Sequence, residues 1–398
     1  MIMTTTTGLY YDPYDVEIDA DPYPVYRRLR QEAPLYYNER YEFFAVSRFD
    51  DVHRCFIDRE TYSSARGNVL EYIKADFEVP SGVMVFEDPP LHGIHRGLLA
   101  RVFTPNKVSA LEPRIREFCR RALDPLVGGG RFDFVADLAD QLPTRTIGML
   151  LGVPESDHEL ARESAAASVR TDPGRPMKIS AENMRQDGFY ADYIAWRAKH
   201  PSDDLMTELL FVEFEDETGR TRRLTRDEVL VYVTLLAGAG NETTNRLIGW
   251  MGKVLAEHPD QRRELAEERS LIPNAIEELL RFEPPTPHVA RYVTREVELY
   301  GLTVPAGSAM LCLSGAANRD ERKYEAGESF DIHRGIDQHL TFGTGIHYCL
   351  GAALARLDGR VALDEVLNRF PEWEVDLDNA VRAPRSTVRG WDSLPAHI

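Results

Sequence analysis

The residues with most chemical promise surround a single cysteine: Phe342-Gly343-Thr344-Gly345-Ile346-His347-Tyr348-Cys349-Leu350-Gly351, a run that leads straight into a helical pattern. A thiolate placed just before a helix N-terminus is favoured by the exposed N–H groups and the helix dipole, which lower its pKa. The glycines permit a tight loop whose backbone N–H groups can point at the sulfur. A lone cysteine is more often a buried structural thiol. Here the Gly-x-Gly before it, the histidine two residues upstream and the glycine two residues downstream weigh toward a working one. A second constellation is Ala237-Gly238-Ala239-Gly240-Asn241-Glu242-Thr243-Thr244, at the centre of an apolar helical stretch. Each interior glycine costs about 1 kcal/mol relative to alanine. Two readings stand at even weight: close helix–helix packing, or a flat ligand pressing on the backbone beside the Glu242 carboxyl and the Thr243 hydroxyl.

The elements that must position these residues are legible in outline. Thr225 and Glu228 form a capping box and His258-Pro259 is a stop, which predicts a helix over Leu224–Glu257. At 1.5 Å per residue it spans roughly 45–50 Å. Val229, Leu230, Val231, Tyr232, Val233, Leu235 and Leu236 make it apolar all round, so it should be buried. Leu350–Phe370 reads as the helix that follows Cys349. Further helices are expected over Pro22–Glu32, from His92 to about Leu126, over Phe132–Leu151 (closed by Gly152 and Pro154), from Ala181 to Lys199 and over Pro273–Phe282. Strands are expected at Phe43–Ser47, Val289–Leu299, Leu302–Val304 and Ala309–Leu313. Gly67–Pro90 reads as a loop whose length marks it as functional, and Arg170–Lys178 as a shorter one. The sum is a mainly α protein with small β-sheets, one interlocked domain over 1–398 with its first nine residues disordered.

Composition narrows the chemistry. A net charge of −18 over 398 residues argues against a nucleic-acid partner. No run of 18 apolar residues occurs, so no membrane span is expected. The Thr-rich start lacks the basic-then-apolar order of a signal peptide. Cys55, Cys119, Cys312 and Cys349 lie far apart without C-x-x-C spacing, unlike zinc, iron–sulfur or disulfide frameworks, and a reducing cytoplasm fits them. Any cysteine chemistry must then come from one thiolate acting alone. Against the overall acidity, Arg96, Arg101, Lys107, Arg114, Arg116, Arg120 and Arg121 concentrate positive charge.

The cysteine run resembles the signature loop of the cytochrome P450 family: Phe342, Gly345, His347, Cys349 and Gly351 fill its fixed positions. Ala239-Gly240-Asn241-Glu242-Thr243 is similar to that family's oxygen-activation motif, Glu278-Leu279-Leu280-Arg281 to its Glu-x-x-Arg pair, and His92 through Arg96 to its His-x-x-x-Arg. All occur in the family's order, and the likeness spans essentially the whole chain. It implies a long central helix over heme b, with Cys349 as the iron ligand, a ligation type for which this family is the standard illustration. Phe342, Gly343 and Gly351 would line the sulfur's side of the haem, and Ala239 and Gly240 the other. His92, Arg96, Arg291 and His347 would hold the propionates, while His95 has no implied role and is expected at the surface. Glu242 and Thr243 would deliver protons and hold dioxygen or an ordered water; Glu242 stands where many members carry aspartate. Glu278 and Arg281 would form a buried structural pair reaching an Arg or His further on, such as Arg334.

By family position the substrate pocket draws on Val83, Val85, Leu235, Ala239, Val289 and Trp391, with the 67–90 and 170–199 regions around it. Such a lining favours an apolar small molecule, whether terpenoid, steroid, fatty acid or polyketide-like. The implied activity is a monooxygenase inserting one atom of O2. No G-x-G-x-x-G follows a strand, so electrons would come from outside, from a ferredoxin and its reductase docking on the basic patch. A monomer is expected. Two alternatives remain: a haem-thiolate ligand-binding or sensing protein without turnover, and a haem-free helical protein whose loop merely resembles the signature.

Overall fold

Thr225 opens the longest helix. Its hydroxyl accepts the Glu228 N–H at 3.2 Å and Glu228 accepts the Thr225 N–H at 2.7 Å, so both bonds of the capping box form. The helix runs Arg226–Glu257, 32 residues, and ends at His258 before Pro259. The computed structural model describes residues 8–75, 82–158, 160, 174–177, 189–383 and 387–398. Most of the predicted 170–178 loop and the first part of the helix expected from Ala181 lie outside these; the described part of that helix is Phe189–Arg197.

The long helix is not buried evenly. Val229, Tyr232, Val233 and Leu236 are buried, Val231 and Leu235 half-buried, and Ala239 is exposed although it lies near mid-helix. Leu235, Ala239 and Thr243, four residues apart, share one face, and that face opens onto an internal space. The other faces pack against Leu142–Leu151, the π-helical turn Phe134–Ala139, Phe189–Arg197 and Ala352–Arg369. This core gathers Ile147, Val233, Leu247, Trp250, Ile276, Leu279, Val361 and Trp391.

A five-stranded sheet stands to one side, in the order Leu35–Asn38, Phe43–Val46, Ala309–Cys312, Val289–Val293 and Tyr62–Ser63. Ala309–Cys312 runs parallel to Phe43–Val46 and antiparallel to Val289–Val293, with Met310 opposite Arg291. The sheet thus sets Arg291 in a strand paired on both edges.

Two long helical expectations break up. The stretch from His92 to about Leu126 forms three helices, Leu91–Ala100, Pro105–Ser109 and Glu112–Leu123. Thr104 caps Lys107 N–H and Pro105 occupies the first helical position, which restarts the chain there. Phe132–Leu151 divides into strand Arg131–Asp133, the π turn and helix Leu142–Leu151. The cause is long-range: the strand pairs with Pro395–His397, and Asp133 Oδ1 takes the N–H groups of Val135, Ala136 and Leu394 at 2.8–3.0 Å. The 67–90 loop contains a short helix, Leu70–Lys74, and a 3-10 turn, Met84–Phe86.

Candidate active site

The cysteine loop is closed by its own backbone. Cys349 N–H donates to the Phe342 carbonyl at 2.9 Å. Gly343 and Gly345 hold φ of +66° and +70°, the left-handed region that side chains disfavour. Helix Ala352–Arg369 starts directly after Gly351, where a Cβ would lie in ordinary van der Waals contact with Sγ at 4.0 Å. Burial raises the Cys349 pKa above its ordinary value, outweighing the Gly351 N–H, Arg96 and Arg356, which lower it. The helix-start effect expected from the sequence is therefore present but loses to desolvation. A cation bonded to the sulfur would favour the thiolate.

Residues far along the chain brace this loop. Glu278 and Arg281 are fully buried and paired through two bonds of 2.6 and 2.7 Å. Arg334 Nε reaches the same carboxylate at 3.2 Å, and Asp331 N–H at 2.9 Å. Arg281 also donates to the Asn318 carbonyl, while the Asn318 side chain takes Leu340 N–H at 2.7 Å and gives to Thr341 Oγ1 at 2.8 Å. Phe342 follows at once, so the buried pair steadies the loop through Asn318. From the outer side Arg356 lies 4.6 Å over the Phe342 ring, bonded to Glu277 and to the Tyr348 hydroxyl. Asn318, Glu277 and Arg356 carry no motif, and the sequence reading passed over them.

Around the loop the structure gathers Arg291, His92, His347 and Arg96, none of them in an ion pair among the described residues. Arg291 is buried, and its one side-chain hydrogen bond goes to the neighbouring Ala290 carbonyl at 2.9 Å. Burial lowers its pKa. Phe56 lies under its guanidinium at 5.3 Å. The rings of His92 and His347 stand 4.3 Å apart, and Nε2 of each is buried without a hydrogen-bond partner. Burial pushes His347 down to about 3, helped by Arg291, His92 and Arg96 and opposed by a hydrogen bond to the Glu87 backbone. Arg96 donates to the Tyr348 carbonyl at 2.7 Å.

An unpaired buried guanidinium costs several kcal/mol, and two orphaned imidazole nitrogens add to that. These groups lack partners among the described residues. Nor do the described residues gather three or more His, Cys, Asp or Glu as a metal centre would. A metal at Cys349 would have to bring its other ligands with it. A flat, iron-bearing macrocycle with two carboxylates meets all these conditions, and the residues present fit haem.

The facing helix divides its polar residues between two sides. Thr243 Oγ1 donates back to the Ala239 carbonyl at 3.0 Å, on the open stripe. Asn241 and Asn245 turn away, to Thr144 and Asp140. Glu242 is buried and bonded to Arg246 at 3.0 Å; Arg246 also meets Asp392 at 3.0 Å and the Trp391 carbonyl. The two glycines separate as well. A Cβ on Gly240 would meet Ile147 Cδ1 at 2.6 Å, so this glycine lets the two helices pack closely. Gly238 faces open space.

The remaining expected residues are placed as follows. Val83 is buried and Val85 half-buried, on a turn where a Cβ added to Gly82 would come within 3.9 Å of Val231 on the long helix. Val289 is on the Arg291 face of its strand. Trp391 packs in the main core, against Gly249 and 5.8 Å from Trp250. Its carbonyl is held by Arg246 and it pairs with Arg382, which fixes the ring inward. His95, expected at the surface, is buried and bonded to Glu87. In the basic patch, Arg116 is spent on Asp364, Glu365 and Glu112, Arg121 on Glu155 and Lys107 on Glu208.

Fold and site together define a haem protein with a thiol beneath a long helix. Comparison with known proteins agrees. Residues 179–388 match the family model for cytochrome P450. The chain is 39% identical to putative cytochrome P450 123 of Mycobacterium tuberculosis, covering 100% of this chain and 99% of that protein. It is 35% identical to vitamin D(3) 25-hydroxylase of Pseudonocardia autotrophica, covering 99% and 98%. The structure of cytochrome P450 CYP109Q5 from Chondromyces apiculatus superposes with a TM-score of 0.85 at 30% identity, over 97% of each chain. The chain belongs to the cytochrome P450 family. It is a monooxygenase whose cofactor is heme b, taking O2, a small-molecule substrate and electrons from a redox partner.

Proposed function

We propose that the protein hydroxylates or epoxidises an apolar small molecule in the cytoplasm, with Cys349 as iron ligand and a ferredoxin as electron donor. The observation that carries the reading is the cluster of buried polar groups left without partners beside the cysteine loop: the Arg291 guanidinium, with no ion pair among the described residues, and Nε2 of His92 and His347. Haem supplies the oxidising chemistry when bound. The chain's own part is orientation, dryness and proton supply. His92, Arg96, Arg291 and His347 would bind the two carboxylates, and Phe342 would screen the sulfur from water. The stripe Leu235, Ala239 and Thr243, with Val83, Val85 and Val289, would seat an apolar substrate. A relative named for hydroxylating vitamin D(3) supports that substrate class.

Protons would pass by way of Glu242 and Thr243, and both are engaged at rest. Thr243 must rotate its hydroxyl off the Ala239 carbonyl to donate elsewhere. Glu242 must loosen its bond to Arg246, whose second acid, Asp392, is part-exposed and opens that cluster to solvent. All four cysteines are free, as a reducing compartment favours, and among the described residues no helix is long and apolar enough to cross a membrane.

The deciding experiment is the absorbance of reduced protein with carbon monoxide. A red-shifted Soret band of thiolate ligation is expected, with Cys349→Ala abolishing it. A colourless protein despite ample haem, or an unchanged band in the variant, rejects the assignment. A screen of apolar compounds for the low-spin to high-spin shift would then find the substrate class.

A further inference from the structure

Glu87 and His95 belong to no motif, yet they meet where four segments converge. Glu87 is buried, on the turn before helix Leu91–Ala100. Its Oε1 accepts the Gly82 N–H at 2.8 Å, closing the loop that carries Val83, Met84 and Val85. Its Oε2 lies 2.7 Å from His95 Nδ1, both side chains being almost wholly buried. The His95 ring in turn stands edge-on to Tyr232 of the long helix at 5.8 Å. The backbone of the same Glu87 holds the His347 ring in the cysteine loop. One residue therefore ties the pocket turn, the His92–Arg96 helix, the long helix and the cysteine loop together.

We propose that Glu87, with His95, is a positioning residue: a buried clasp that fixes the Val83–Val85 turn over the open stripe of the long helix and thereby sets which molecules reach the haem. A buried carboxylate with two good hydrogen bonds is costly to place. A plain core contact here would be made more cheaply by apolar side chains, so the pair is spent on fixing a geometry. A Cβ built on Gly82 would lie 3.9 Å from Val231 Cγ1, so the turn runs close beside the stripe and a loosened Gly82 amide would let it shift there. The inference rests on the haem-site reading above.

The test uses the full-length haem-loaded protein and two probes that bind the iron through an imidazole nitrogen, imidazole and the bulkier 4-phenylimidazole, followed by the Soret shift. Alongside, hydrogen exchange is measured for the peptide containing Gly82. Glu87→Ala should speed that exchange about tenfold, the effect of one lost net hydrogen bond. It should also change the ratio of the two probe affinities by about threefold or more. Glu87→Gln should restore both readouts, since Gln accepts from Gly82 and donates to the other His95 tautomer. His95→Phe, which keeps a ring against Tyr232, should reproduce the loss and carries the test if Glu87→Ala fails to fold. Wild-type exchange and probe ratio in Glu87→Ala and His95→Phe, or no rescue by Glu87→Gln, overturns the clasp. The exchange measurement reads the clasp independently of haem, so a failed haem assignment is distinguished by probes that give no shift in the wild type.

Discussion

At the scale of single residues, Arg291 shows how the site is set against the fold. Its guanidinium is buried with no direct ion pair among the described residues, Asp88 acting on it only from a distance, so the polypeptide alone is weakened by it. A bound carboxylate reverses the sign. Arg291→Leu should accordingly do two opposite things. Haem transfer to an apo-globin acceptor should accelerate about tenfold to a hundredfold, the range for one lost charge-assisted bond. The protein stripped of haem should become more resistant to urea. Slower or unchanged haem transfer, or a less stable stripped protein, would show that Arg291 has a structural partner instead. Residues of this kind were legible in the sequence because the chemistry fixes their type and spacing: sulfur, propionate cations and the helix Thr. Their partners were not. Nothing in the run Glu242-Thr243 announces that Arg246 holds the acid, because that geometry depends on Asp392 and Trp391 arriving from the far C-terminus.

At the scale of elements, boundaries marked locally were readable and those set by distant contacts were not. The capping box at Thr225 and the stop at His258-Pro259 gave the long helix within two residues. The break at Asp133 is imposed by a strand 260 residues away and leaves no local trace. A related contact between helices carries a pH prediction. Asp358, on helix Ala352–Arg369, is buried against Leu142–Leu151, and burial raises its pKa well above the ordinary range. The Thr146 hydroxyl lies 3.3 Å from Asp358 Oδ1 but only 2.9 Å from the Leu142 carbonyl. With one hydrogen to give, it serves the nearer carbonyl, and a protonated Asp358 donates to it. A folded pKa above the unfolded value of about 3.9 means the native state keeps a proton that the unfolded chain releases. The contribution is whole below that pH and is lost as pH climbs toward the folded pKa. Asp358→Asn should keep the hydrogen bond without the loss, so its advantage in urea unfolding should grow from pH 5 to pH 8, reaching on the order of 1–3 kcal/mol. A variant weaker than wild type at pH 8 would mean the carboxylate is ionised and satisfied there.

At the scale of the whole molecule, charge decides how an electron donor approaches. The chain carries −18 overall, so an acidic ferredoxin is repelled except where positive charge is left uncompensated. Helices Pro105–Ser109 and Glu112–Leu123 pack on the helix that follows Cys349, which places Lys107 of the first and the arginines of the second beside that helix. Counting arginines overstates that face, because Arg116, Arg120 and Arg121 lie beside acids of their own. Arg101, Arg114 and Arg360 are exposed and have no ion pair among the described residues. Docking should depend on these three. Replacing them with glutamate should raise the ferredoxin concentration for half-maximal reduction about tenfold at low salt. The gap should close as the ionic strength approaches 1 M, where the screening length falls to about 3 Å. Arg116→Ala should leave that concentration nearly unchanged and lower the melting temperature instead, since it strips a partner from the buried Glu365. If Arg116→Ala weakened docking as much as the triple exchange, the donor would be reading total charge on the face, and the division between paired and unpaired arginines would have no bearing on where it binds.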